Sequence, residues 1–165
     1  IEKANGEWVL PLDGDDKIAS SYLIKANEKI NEGIEIVYSN AQYFGELNDE
    51  WILNEYDFKK LLLNNSIFCP AIFKKSSVRF DENMTYGLED WEFWINHIST
   101  NKVTKVHKLN SFELYYRIKQ NSRNKIANNN ANNLVKMQNY VYNKHLELYI
   151  KYYGDYFTVC RENKK

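Results

Sequence analysis

The chain has 165 residues, 44% of them hydrophobic and 27% charged, which suits one compact domain with a real core rather than a disordered tail or a membrane bundle. Lys and Arg number 22 and Asp and Glu number 22, so the chain lacks the basic footprint of a duplex-binding protein and nucleic acid is not an expected partner. No apolar run approaches the ~20 residues of a membrane-spanning helix, and no signal-peptide pattern opens the chain.

In chain order, Ile1 to Asn5 reads as a last helical turn closed by Gly6 in the left-handed position. Because it opens at Ile1 without a Met, the chain is expected to be a piece of a longer one. Glu7 to Leu12 is a short apolar strand that breaks into the polar Asp13-Gly14-Asp15-Asp16. Ala19 to Glu32 is helical, with Ala19, Leu23, Ala26 and Ile30 on one face and Gly33 as its stop. Ile34 to Phe44 reads as a strand, Tyr56 to Asn64 as a short helix, and Ser66 to Lys74 as a second strand interrupted by Pro70.

Arg79 to Tyr86 is loop-like, and Gly87 leads into a helix over Leu88 to Ser99, with Leu88, Trp91, Ile95 and Ile98 as its inward stripe. Val103 to His107 and Phe112 to Ile118 read as two strands. A last periodic segment, Ala131 to Tyr153, places Leu134, Met137, Val141, Leu148 and Tyr152 on one helical face. Strands alternating with helices argue for an α/β layer architecture. The tyrosines of the last helix, Tyr140, Tyr149, Tyr152, Tyr153 and Tyr156, are expected to pack on their own domain, with a partner or membrane face as the alternative.

Cys69 and Cys160 belong to no CxxC and read as free thiols of a reducing compartment; His97, His107 and His145 have no metal-ligand spacing, which argues against zinc. Aromatics reach 15%, with 13 tyrosines. Such side chains build carbohydrate sites, because their faces pack on sugar C–H surfaces while their polar edges bond hydroxyls. Compositional drift towards Asn, Lys, Ile and Tyr would give the same count.

Three segments carry chemistry. Three carboxylates within Asp13-Gly14-Asp15-Asp16 repel one another unless a cation neutralises them, and an apolar strand leads into them, where open α/β sheets bind ligands. Hard oxygen donors favour Mn2+ or Mg2+ held together with substrate phosphates, and Gly14 allows a tight turn and close approach. A solvated acidic turn is the plain alternative. In Gly87-Leu88-Glu89-Asp90-Trp91, Asp90 falls in a first helical turn; flanked by Trp91 and Trp94, it has the surroundings of a general base beside a sugar. In Tyr115-Tyr116-Arg117-Ile118-Lys119-Gln120-Asn121-Ser122, the residues Arg117, Lys119 and Ser122 can meet a pyrophosphate by charge-assisted hydrogen bonds.

Taken in this order, GEWVLPLDGDDKIASSYL, CPAIFKKSSVRFDENMTYGLEDWEFWI and YYRIKQNS resemble the carboxyl-terminal two-thirds of a family 2 glycosyltransferase of GT-A fold, over Ile1 to about Asn124. The resemblance implies a GT-A-like mixed sheet flanked by helices and incomplete at its amino-terminal side. Residues 1–124 would form a partial transferase domain and 125–165 a helical extension. It implies an inverting, metal-dependent hexosyltransferase, taking a sugar from a nucleotide-diphosphate sugar to a glycan or lipid-linked acceptor in surface polysaccharide synthesis.

Asp15, with Asp13, would hold Mn2+ or Mg2+. Asp13, Asp16, Arg117, Lys119 and Ser122 would bind the nucleotide sugar. Asp90 would be the base, Glu89 would orient hydroxyls, and Trp91 and Trp94 would face the acceptor. Specificity is expected in the loops Ala41 to Asn54 and Phe68 to Phe73. The expected place is the cytoplasm, peripheral at the inner face of the membrane.

Two departures stand out. Many relatives have His where this chain has Lys119, which puts a third metal ligand in question, and many have Arg near the position of Asn96 and His97. The family's opening nucleotide-cradling portion has no counterpart before Ile1, so the chain alone is expected to be inactive and to self-associate through an open sheet edge. The competing readings are a non-catalytic glycan-binding or scaffolding domain and a phosphatase that places DxD after a strand. The second is the weaker match, since Asp16 and Lys17 follow where such sites put Thr or Val.

Overall fold

The structure, a computed structural model, describes residues 1–119, 131–155 and 161. In chain order the elements are β1 (Trp8–Val9), β2 (Lys17–Ile18), α1 (Tyr22–Asn31), β3 (Ile36–Gly45), β4 (Glu50–Trp51), α2 (Phe58–Leu61), β5 (Ile72–Lys74), α3 (Glu89–Asn101), β6 (Val106–Ile118), α4 (Ala131–Lys144) and α5 (Leu146–Tyr153). The strands form one sheet in the order β1-β5-β3-β6-β2, with β4 folded back onto β3. Only β3 and β6 run parallel; the remaining pairs are antiparallel. This is the mixed α/β sheet expected from the alternation of elements.

Every residue of β3 from Ile36 to Ala41 is buried, the mark of a central strand covered on both faces. The period-two alternation sends Ile36 and Tyr38 into a core shared with α3, and Val37 into a second core with Tyr22 and Ala26 of α1. α1 stops at Gly33, whose φ of 86° needs no Cβ penalty. Of its expected face, Ala26 is buried and Ile30 packs against the same core, but Tyr22 takes the place of Leu23. Tyr22 is fully buried, donating its hydroxyl to the carbonyls of Val37 and Pro70, while Leu23 is 56% exposed.

The two strands expected over Val103–His107 and Phe112–Ile118 are one strand, β6. It runs 13 residues beside the 10 of β3, with irregularities at Ser39/Asn40 and Asn40/Ala41. Buried Asn40 fills the first of these, donating its amide to the Asn110 carbonyl at 2.9 Å and accepting from the Leu53 amide at 3.0 Å. Beside it, Glu113 is also buried. Burial alone would raise its pKa, but bonds from Lys25 (2.5 Å), Ser111 (2.6 Å) and Ser21 (2.7 Å) bring it below the usual value.

At the amino terminus Ile1 to Ala4 makes a turn, not a helical end, and Gly6 is not in the left-handed region. The expected strand over Glu7–Leu12 contracts to Trp8–Val9. The expected single helix over Ala131–Tyr153 breaks at His145 into α4 and α5. The break rotates the buried face, so Met137 and Val141 are followed by Tyr149 and Tyr153, and Tyr152 is 37% exposed. These tyrosines dock the helices on their own domain, with Tyr149 and Tyr153 donating to the carbonyls of Leu62 and Lys59 and Tyr140 to Asp81. Tyr156 and Cys160 lie outside the described residues.

Candidate active site

β1 leaves the sheet through Pro11, and Asp13 to Asp16 form a turn closed by the Asp16 amide donating to the Asp13 carbonyl at 3.1 Å. β2 then returns the chain alongside the far end of β6, with Lys17 opposite Tyr115. This brings the first and third sequence segments into contact. The Arg117 amide donates to Asp16 Oδ1 at 2.8 Å, Arg117 Nε donates to the Asp15 carbonyl at 3.1 Å, and Lys119 Nζ lies 2.5 Å from Asp15 Oδ2. The Arg117 guanidinium and the Lys17 ammonium both sit over the Phe44 ring, at 4.9 and 5.0 Å. Gly14 has open space where a Cβ would stand and no positive φ, so the turn itself does not require glycine.

The charges respond as electrostatics dictates. The bond from Lys119 holds Asp15 below the ordinary carboxylate range. Partial burial raises Asp16, and repulsion from Asp15 and Asp13 adds to it.

Asp90 opens α3. The chain enters that helix through two consecutive left-handed residues, Gly87 (φ 103°) and Leu88 (φ 62°), which turn it sharply before Glu89. Asp90 Oδ1 accepts from the Trp91 amide at 2.8 Å and Oδ2 from Asn65 Nδ2 at 2.9 Å. Asn65 Oδ1 accepts from the Ile67 amide at 3.1 Å, which fixes the amide so that its NH2 faces the carboxylate. Burial, with repulsion from Glu89, nevertheless pushes the Asp90 carboxyl up to about 6.

Cys69 is a half-buried thiol within electrostatic reach of both acidic centres. Burial pushes its thiol up to about 12, and the carboxylates of Asp90, Asp13, Glu89 and Asp16 all add to the shift. Coulomb influence fades with distance, so one thiol that feels both sets of charges marks a region the two centres share. Beside it, Phe68, Trp51, Tyr43 and Tyr116 form a half-buried aromatic wall, with Trp51 and Phe68 edge to face at 4.0 Å. The wall draws on both loops in which specificity is expected.

Of the residues named from sequence, Asp13, Asp15, Asp16, Arg117 and Lys119 gather at one point, and Glu89 and Asp90 stand at the second. Ser122 lies outside the described residues. Trp91 and Trp94 are corrected: they are 5% and 1% exposed, packed into the core, and Trp91 Nε1 donates to the Leu61 carbonyl at 2.6 Å, so neither ring face is open to an acceptor. Asn65 carries no motif and was not found from sequence; Cys69 heads the second segment but was read only as a free thiol, and the aromatic wall was reached only as part of wider stretches, with no role given to its rings. Two hollows beneath α4 and α5 share no residue with either acidic centre.

Among the described residues no group of three or more His, Cys, Asp and Glu converges as a metal cage. Asp13 and Asp15 supply oxygen donors on one turn, and Mg2+-type sites take one or two carboxylates and complete their shell with water and substrate phosphates. The donor chemistry fits a cation that arrives with a diphosphate.

No family model matches the chain. In an alignment of 145 positions that covers 79% of the chain, it is 30% identical to the GalNAc(5)-diNAcBac-PP-undecaprenol β-1,3-glucosyltransferase of Campylobacter jejuni subsp. jejuni serotype O:2. The chain is thus similar in sequence to part of a glycosyltransferase. It spans 45% of that relative's length.

The chain shares its fold with S. aureus TarS 1–349. The TM-score is 0.55 at 18% identity over 70% of this chain and 37% of TarS. Against TarS in complex with UDP-GlcNAc it is 0.56 at 17% identity over 74% and 38%. TarS has also been crystallised in complex with UDP. The likeness to glycosyltransferases read from three sequence segments and the mixed α/β sheet it implied are thus met.

Proposed function

We propose that this chain forms the diphosphate and acceptor side of an inverting, metal-dependent glycosyltransferase of GT-A type. The enzyme would move a sugar from a nucleoside-diphosphate donor to a hydroxyl of a lipid-linked glycan in surface polysaccharide synthesis. What supports this reading is a pair of acidic centres of unlike character, one tied to Lys119 and Arg117 and one held by Asn65 and raised towards neutrality, both of which bear on the Cys69 thiol. The donor class is supported by the UDP-GlcNAc complex of TarS, and the acceptor class by the polyprenol-linked substrate in the C. jejuni enzyme's name.

Asp90 accepts the proton of the acceptor hydroxyl as its oxygen attacks the anomeric carbon. The bond from that carbon to the diphosphate breaks on the opposite face, and the nucleoside diphosphate leaves with the electron pair. A carboxyl near pH 6 is matched to that task, and Asn65 keeps it aimed. Glu89 orients hydroxyls. Asp13 and Asp16 border the nucleotide sugar, and Arg117, held in place by Asp15, Asp16 and Phe44, offers its remaining N–H groups to phosphate oxygens. Asp15, with Asp13, would hold Mn2+ or Mg2+, which when bound stabilises charge on the leaving diphosphate.

The test is Asp90→Asn in the whole protein. Transfer is expected to fall by about 10²-fold or more while donor affinity stays within about twofold of wild type. Retained transfer would sink the reading, and a wild-type protein that binds donor but transfers nothing would instead indicate the scaffolding alternative. The 165-residue chain alone is expected to turn over donor poorly or not at all; robust transfer by it would refute that. No described helix is long and apolar enough to cross a membrane, and the reading places the enzyme peripherally at the membrane face where its lipid-linked acceptor lies.

A further inference from the structure

The exit of β6 carries two cations with different freedom. Arg117 is tethered three ways, by its amide to Asp16, by Nε to the Asp15 carbonyl and by its guanidinium over Phe44. Among the described residues Lys119 reaches the site through an ion pair to Asp15 Oδ2, and both side chains of that pair are about half exposed, at 50% and 43%. A pair so open to water is held weakly and exchanges readily. Its acceptor oxygen is also the donor assigned above to the divalent cation.

An ammonium and a divalent cation cannot share that oxygen without strong like-charge repulsion, and a protonated lysine has no lone pair with which to ligate a metal. Where a histidine would add a ligand, Lys119 adds a competitor. We infer that Lys119 is an exchangeable counter-ion. It neutralises Asp15 while the site holds no donor, and it moves to a phosphate oxygen of the nucleoside diphosphate when a cation takes Asp15.

The inference rests on the proposed donor site and names a regulation of it. A bare cation meets an occupied carboxylate and binds weakly. A cation arriving with a diphosphate offers Lys119 a new partner, so the displaced ammonium gains a charge-assisted bond and the two ligands bind cooperatively. The coupling is reciprocal: UDP should tighten Mn2+ by the factor by which Mn2+ tightens UDP.

The experiment measures Mn2+ binding to the whole protein by electron paramagnetic resonance, with and without UDP, for wild type, Lys119→Gln and Lys119→Arg. Lys119→Gln removes the charge from an exposed side chain and is not expected to disturb folding, which circular dichroism checks. The variant should bind Mn2+ alone about two- to fivefold tighter and the Mn2+–UDP pair more weakly than wild type, while Lys119→Arg keeps the coupling. Unchanged or weaker binding of Mn2+ alone by Lys119→Gln overturns the inference and leaves the donor site standing. A wild-type protein that takes up no UDP in the presence of Mn2+ overturns the donor site, and the inference with it.

Discussion

Asp90 shows how one carboxyl serves function at the expense of stability. Its folded pKa lies above the ordinary carboxylate value, so the folded protein binds more protons than the unfolded chain between about pH 4 and about pH 6. The stability contributed by the protonated form is complete below that window and is lost as pH rises through about 6. Asp90→Asn is therefore expected to melt above wild type at pH 8, with the gap closing towards pH 4, as differential scanning fluorimetry would record. Activity runs the opposite way: kcat/KM of the whole protein should fall as pH drops through about 6. Asn65→Ala, which removes a bond to the anion, should shift that acid limb to higher pH. Asp13, Asp15, Asp16, Glu89, Asp90 and Arg117 were legible in sequence because each sits in a short local pattern. Asn65 was not, since it enters the site from a segment without a motif, and Cys69, though it heads the second segment, read there only as a free thiol. Trp91 and Trp94 misled because nearness in sequence to a carboxylate says nothing of direction: they are three residues apart on α3, and so share the face turned into the core.

At the scale of elements, the C-terminal helices are bound to α3 by a buried ion network. Fully buried Glu92 accepts from Lys144 at 2.8 Å and pairs with His145 at 2.9 Å, while Lys144 also meets Asp81 at 2.5 Å. Among the described residues Glu92 Oε2 has no hydrogen-bond partner, and the carboxylate depends on these cations. Lys144→Met should cost about 2 kcal/mol in denaturant unfolding, somewhat less than breaking a fully buried pair because Lys144 keeps some contact with water. Lys144 also holds Asp81 far below its ordinary pKa. That contribution is present above about pH 4, is lost as pH falls towards the folded pKa, and should be missing from the acid unfolding curve of the variant. The break at His145 was hidden in the sequence, because no Gly or Pro marks it and helical spacing continues on either side. Burial of His145 against Glu92 decides it instead.

For the molecule as a whole, sequence periodicity was enough to place α1, β3, α3 and the strand character of β6, since each has a long apolar pattern facing a core. It overextended β1 and β5, which keep two and three residues of pairing, because apolar composition does not reveal where a partner strand ends. Both outer strands of the sheet, β1 and β2, are two residues long. β2 covers β6 only at Leu114 and Tyr115, so among the described residues most of β6 has no strand partner on that side, and this is where the self-association expected from an open edge would act. Light scattering of the chain at high concentration reads the outcome directly: dimers or larger species support edge pairing, and a strict monomer rules it out.

The mismatch between β3 and β6 has a reach beyond its own site. Between the paired ends Ile36↔Val106 and Gly45↔Ile118, β6 carries three more residues than its partner. An odd surplus reverses the phase of the pleat, so the half of β6 beyond Asn40 is out of step with the half before it. The inserted residues act as a frame-setter for everything downstream. Deleting Ser111 alone would restore an even count and carry the Arg117 side chain to the opposite face of the sheet, away from the Asp15 carbonyl and the Phe44 ring it now meets, with no change at all to the residues that bear the chemistry.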